Sequence, residues 1–208
     1  RGEWEYRKMV GYLELSLEKQ TGNYMIFFPS YEMLSAVYEI ARDSNLALVS
    51  ELVVQEPFME EKSREDFLEK FRRKEGKPQI GFCVLGSIFS EGIDLTGESL
   101  IGVVIVGTGL PQICNEREVI REYFDRQQKK GYDYAYRYPG MNKVLQAAGR
   151  VIRTAQDTGT ILLMDERFLE RENQKLFPEE WDSYYGVNRQ NYGKVLKDFW
   201  EERRRRES

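Results

Sequence analysis

Apolar residues change their spacing from segment to segment along this chain, and each change predicts an element. Residues 4–20 (WEYRKMVGYLELSLEKQ) predict an amphipathic helix with Trp4, Met9, Tyr12, Leu13 and Leu17 toward one side. Thr21-Gly22-Asn23 stops it. Tyr24 to Phe28 is a short apolar run of buried-strand type, and a helix is expected from Tyr31 to Arg42. Leu46 to Val54 holds further strand, and Glu60 to Lys74 a charged helix with Phe67, Leu68 and Phe71 inward. Gln79 to Leu85 and Leu100 to Val106 are two more strands, the second almost continuously apolar, as a strand covered on both faces must be. Helices are expected at Ile113 to Lys130 and Met141 to Arg153, a fifth strand at Gly159 to Met164, and a helical tail from Glu179. Short apolar strands alternating with helices predict an α/β fold. It is a parallel sheet of about five strands with helices on both faces, plus N- and C-terminal helices. Ligands of such a sheet sit outside the carboxyl ends of the strands, so the loops after Phe28, Leu85 and Val106 are where chemistry is expected.

Composition narrows the chemistry. The chain has 208 residues, which suits one domain over 1–208, and 41% of them are hydrophobic, enough for a core. With 31 basic and 35 acidic residues the net charge is −4, so a nucleic-acid surface has to be local. There is no histidine, which removes the commonest general base, the Ser-His and Cys-His nucleophile pairs and histidine metal sites. The two cysteines, Cys83 and Cys114, cannot supply the four thiolates of an iron–sulfur cluster and read as reduced thiols of a cytosolic core. No run of about 20 apolar residues is present, so no membrane span is predicted and a cytoplasmic protein is expected. A chain that begins Arg1-Gly2 reads as a piece of a longer protein.

Three segments carry candidate chemistry. In a helix, Gln146, Gly149, Arg150 and Arg153 fall on one face. Two guanidiniums three residues apart repel unless an anion lies between them, and a triphosphate would supply one, because the arginine fork matches phosphate oxygens. A solvated basic face near a helix C-terminus explains the same residues equally well. Gly86 to Leu95 (GSIFSEGIDL) follows a strand. Its glycines let the backbone approach a ligand, Asp94 could accept from a ribose hydroxyl, and Ser87 and Ser90 could hold a phosphodiester. A plain Gly/Ser turn is the alternative. After Phe28, the hydroxyl of Ser30 and the first-turn amides could grip a phosphate, and Tyr31 could stack on a base. The alternative is an N-cap serine beside a core aromatic. The run Arg203 to Arg206 reads as the solvated end of a helix or as a further phosphate patch.

In this order, the three segments resemble motifs IV, V and VI of DinG/XPD-like (Rad3-related) superfamily 2 DNA helicases. Phe27-Phe28-Pro29-Ser30-Tyr31 looks like motif IV, Gly86 to Leu95 like motif V, and Gln146 to Arg153 like motif VI with its Q-x-x-G-R-x-x-R spacing. Gly109-Leu110-Pro111 resembles the family's Leu-Pro step, and the likeness covers about residues 20–170, leaving 171–208 as a helical extension. The resemblance implies a RecA-like second motor domain of an ATP-dependent helicase that moves 5′ to 3′ on single-stranded DNA. It implies that Arg150 and Arg153 reach the γ-phosphate and that Gln146 contacts phosphates or the attacking water. Gly149, Gly92 and Asp94 would line the nucleotide, while Ser30, Tyr31, Ser87 and Ser90 would face DNA. ATP and Mg²⁺ would be bound mainly by a first motor domain of the same polypeptide, which would also hold any iron–sulfur cluster. This stretch has no G-x-x-x-x-G-K-[ST] loop and no Asp-Glu box, so it is expected to hydrolyse no ATP alone and to hold no metal. Two other readings remain at this point. One is a non-catalytic nucleic-acid-binding or regulatory module with the same fold. The other is a Rossmann-type enzyme, which would need G-x-G-x-x-G where Pro29-Ser30-Tyr31-Glu32 stands.

Overall fold

A computed structural model describes residues 2–90, 95, 97–153, 156–181 and 183–207. Its centre is a five-stranded, all-parallel sheet in the order β2-β3-β1-β4-β5. The strands are β1 (Tyr24–Phe28), β2 (Glu51–Val54), β3 (Gln79–Val84), β4 (Gly102–Val106) and β5 (Thr160–Met164). β1 pairs Phe27 with Cys83 on one side and with Ile105 on the other. Every residue of β1 and β4 is buried, which is why their sequences show no alternation of polar and apolar positions.

Two apolar layers cover the sheet. On one face lie α1 (Glu3–Lys19), α2 (Tyr31–Arg42), α3 (Asn45–Val49) and α8 (Tyr192–Glu207). They pack Leu13, Leu17, Leu34, Val37, Leu196 and Trp200 against Ile26, Phe28, Phe82 and Val104. On the other lie α4 (Glu61–Arg72) and α6 (Tyr138–Ala148), which pack Phe67, Phe71, Val144 and Ala147 against Met25, Phe27, Cys83 and Ile105. Each large side chain so buried contributes roughly 1.5–3 kcal/mol. Right-handed crossovers explain the allocation: moving from β1 to β2 puts α2 on one face, and moving back from β2 to β3, or on from β4 to β5, puts α4 and α6 on the other. The chain ends are tied together by α1 and α8, where Ser16 Oγ and Tyr192 Oη share a 2.8 Å hydrogen bond. α5 (Asn115–Gln128) stands outside both layers with none of its residues buried, and α7 (Arg171–Gln174) is a single turn.

Several expectations change. The helix expected to reach Arg153 stops at Ala148, with Gly149 as its C-cap, and a π-helical turn at Asp133–Arg137 precedes it. The segment 46–54 is a strand only from Glu51, because Ser44 caps the short α3 and Leu46 is needed in the core. The tail expected to be helical from Glu179 has a single 3-10 turn at Glu179–Trp181, and its α-helix starts at Tyr192. Trp4 is 68% exposed rather than inward, and the Lys8 ammonium lies 3.2 Å from its ring centre. Cys83 is buried, and burial pushes its thiol up, but Cys114 is exposed at the start of α5.

Candidate nucleic-acid and nucleotide surfaces

All five strands point the same way, so the loops after β1, β3 and β4 converge at one edge. The residue that joins two of them is Gln55, 4% exposed at the end of β2. Its Nε2 donates to Tyr31 Oη at 2.9 Å. Its Oε1 accepts from the Val84 amide at 2.9 Å and from Ser87 Oγ at 2.9 Å. One buried amide thus fixes Tyr31 of the first loop and Ser87 of the second. Burial raises the Tyr31 phenol, with the Gln55 bond opposing in part, so the hydroxyl stays protonated. Sequence reading missed Gln55. A lone amide directly after Leu52-Val53-Val54 was its only signal.

Ser30 is the N-cap of α2, exposed, and its Oγ accepts the Met33 amide at 3.3 Å. With its oxygen accepting there, the Ser30 hydroxyl can still donate its hydrogen to another group. Ser90 differs from the expectation. It is fully buried and its Oγ donates to the Ser87 carbonyl at 2.8 Å, so it supports the Ser87 turn from beneath and leaves the outward-facing set. Phe89 anchors the same turn, stacked on Phe67 with centroids 4.2 Å apart. Gly92 and Asp94 lie outside the described residues.

The loop after β4 docks on α6 by backbone contact. Gly109 has φ +67°, and a Cβ there would sit 2.6 Å from the Gly140 carbonyl oxygen; a Cβ on Gly140 would sit 2.6 Å from that of Thr108. This contact places the N-terminal end of α6 at the carboxyl edge of the sheet. The chain beyond its other end returns to the opposite edge, where Val151 packs within 2.2 Å of a Cβ built on Gly159, just before β5. α6 therefore spans the sheet from the Ser87 edge to the start of β5.

The segment that resembles motif VI hangs on the far end of α6. Gln146 is exposed on the helix, Gly149 caps it, and Arg150 follows in a turn held by Arg150 N–H to Ala147 C=O at 3.1 Å. Arg150 Nε also donates to the Gln146 carbonyl at 3.1 Å, so these two residues are brought together. Arg153 is not on the helix face. It lies in the next loop, where Asp157 Oδ2 accepts its amide at 3.0 Å. The helix face of four residues therefore resolves into a helical part and a loop part. Buried Ala147, Ala148 and Val151 alternate with the polar set and lock it to the layer that also holds Phe89 and Leu95.

A five-stranded parallel sheet with polar side chains at its strand ends and an arginine turn at the far end of α6 makes a RecA-like domain. The helicase C-terminal domain family matches residues 13–184, and the chain belongs to that family. It is the C-terminal helicase domain of the XPD- and DinG-like type. Among curated relatives, a regulator of telomere elongation helicase 1 homolog of Aedes aegypti is 27% identical over 191 residues, which is 84% of this chain and 19% of that protein. The Homo sapiens regulator of telomere elongation helicase 1 is 29% identical over 191 residues, again 84% of this chain and 15% of that protein. A protein named "Probable ATP-dependent helicase" from Methanocaldococcus jannaschii is 29% identical over 165 residues, covering 73% of this chain and 24% of the relative. The chain thus spans about a quarter or less of the length of these relatives. Among solved structures, an XPD helicase superposes with TM-score 0.65 at 22% identity, covering 84% of this chain and 30% of that one. A second, apo XPD gives 0.66 at 21%, covering 84% and 34%. These structures share the fold.

Proposed function

We propose that this chain is the second motor domain of an ATP-dependent DNA helicase that moves 5′ to 3′ along single-stranded DNA. It supplies arginines to an ATP site completed by a first motor domain and is inert alone. The observation that carries this reading is the arginine turn: Gln146, Gly149 and Arg150 at the end of α6, with Arg153 in the loop beyond. Phosphoryl transfer needs little covalent help and much charge stabilisation, which a fork of guanidinium donors provides at the γ-phosphate oxygens. Because the arginines stand on a separate domain, hydrolysis depends on closure of the two domains, and closure becomes movement. Ser30, Tyr31 and Ser87 at the strand ends are the matching DNA surface. Gly92 and Asp94 belong to the nucleotide side of motif V in the same reading.

Mg²⁺ would be held by the phosphate-binding loop and acidic box of the first motor domain; among the described residues no cluster of three His, Cys, Asp or Glu could take a metal. Among the described residues no helix is long and apolar enough to cross a membrane. The test is reconstitution. Joined in one polypeptide to a first motor domain, the chain should give DNA-stimulated ATP hydrolysis that is lost in Arg150→Ala. Turnover by the isolated chain that depends on Arg150 would overturn the proposal.

A further inference from the structure

Among the described residues, Ser30, Tyr31 and Ser87 bring no cation to the proposed DNA surface. Ser87 donates its hydroxyl hydrogen to Gln55, so it cannot also donate it to a phosphate. Tyr31 accepts from the same amide. A phosphodiester at this edge therefore needs charge from elsewhere.

Lys143 is placed to give it. It sits on α6, one turn before Gln146, and its stem crosses Gly86, the residue before Ser87. A Cβ built on Gly86 would lie 2.9 Å from Lys143 Cδ and 3.1 Å from Cε. Gly86 has φ +77°, so the bare glycine both makes the turn and leaves the track in which the lysine stem lies. Lys143 is half-buried, and among the described residues no carboxylate or carbonyl pairs with its ammonium. A half-buried cation with no partner among the described residues is one that an external anion will favour.

We infer that Lys143 binds a backbone phosphate of single-stranded DNA beside Ser87 and so links the DNA edge to the arginine turn through α6. The inference rests on the proposed function and adds a residue to it. It gives α6 two ends with different duties. The N-terminal half meets DNA through Lys143, and the C-terminal end carries Gln146 and Arg150. A strand that pulls on Lys143 therefore acts on the same rigid helix that aims the arginines. Lysine rather than arginine suits a site that needs one point charge on a long stem and no planar fork.

The experiment uses an unstructured oligodeoxythymidine, with Lys143→Gln, Lys143→Arg and Gly86→Ala made in the longer polypeptide that carries this domain. Kd is measured against salt. Removing one cation from a phosphate should lower the slope of log affinity against log salt by about 0.7. Lys143→Gln is expected to show that drop and a roughly 3- to 10-fold weaker Kd at low salt, equal for different base sequences, as a single phosphate-binding cation predicts. Lys143→Arg should restore both. Gly86→Ala should imitate Lys143→Gln by displacing the stem. A wild-type slope in Lys143→Gln, while Tyr31→Ala still weakens binding, overturns the inference and leaves the proposed function standing. So does a raised KM for ATP without DNA, which would put Lys143 on the nucleotide. If the unaltered protein shows no salt-dependent single-strand binding, both the inference and the DNA reading beneath it fall.

Discussion

Replacing Gln55 with alanine removes a side chain that ties the β1 loop to the β3 loop. Three hydrogen bonds go with it, to Tyr31 Oη, the Val84 amide and Ser87 Oγ. Each is worth about 1 kcal/mol net, and the Val84 amide is left without its acceptor, so the expected loss of stability is about 3 kcal/mol. For a domain of this size that is a fall in Tm of about 6–12 °C. Tyr31 and Ser87 also lose their fixed positions. Re-ordering two side chains on binding costs about 1–3 kcal/mol, or roughly 5- to 150-fold in Kd for single-stranded DNA. Urea denaturation gives the first quantity and fluorescence anisotropy the second. Tyr31→Phe keeps the ring but loses one bond, so it should cost about 1 kcal/mol and bind DNA nearly as well. A Gln55→Ala protein within about 0.5 kcal/mol of wild type, below the worth of a single hydrogen bond, would refute the claim that this amide organises the edge.

Other outcomes follow from separate observations. Arg150→Ala or Arg153→Ala, in a polypeptide with both motor domains, should lower ATP turnover by about 10³ to 10⁵ with little change in Tm, and Arg150→Lys should not restore it. Phe58 is fully exposed with φ +58°, so Phe58→Gly should raise stability by about 1 kcal/mol in urea denaturation. Gly140→Ala should destabilise by about 1–3 kcal/mol, because the added methyl meets a backbone oxygen that cannot move away freely. Burial raises Tyr192 from 10.0 to about 12. A raised phenol favours the protonated fold, so stability is complete below pH 10 and falls as pH rises toward 12. Tyr192→Phe should lower the slope of unfolding free energy over that window by about 1.4 kcal/mol per pH unit.

The apolar runs at 24–28, 79–84 and 102–106 left no option but buried strands, and the helices between them made the sheet parallel. The spacing of Gln146, Arg150 and Arg153, taken with the two segments at strand ends, marked them as candidates, because local sequence carries which groups are present and how far apart they lie along the chain. What sequence does not carry is where a helix stops when both continuations are tolerable. Gly149 ends α6, and Val151 must pack near Gly159, so Arg153 leaves the helix face for a loop held by Asp157. Burial divided two similar serines, sending Ser90 inward under the turn and keeping Ser87 at the edge. Gln55 and Lys143 were invisible for the same reason. Each acts on residues far away in sequence, Gln55 on Tyr31 and Ser87 and Lys143 on Gly86, and such partnerships exist only once the crossovers have stacked β2, β3 and α6 at one edge. The sequence by itself determined the buried strands, their parallel arrangement and the spacing of Gln146, Arg150 and Arg153 along the chain. Only the tertiary structure decided which polar groups come together, because that depends on packing between segments that the chain order keeps apart.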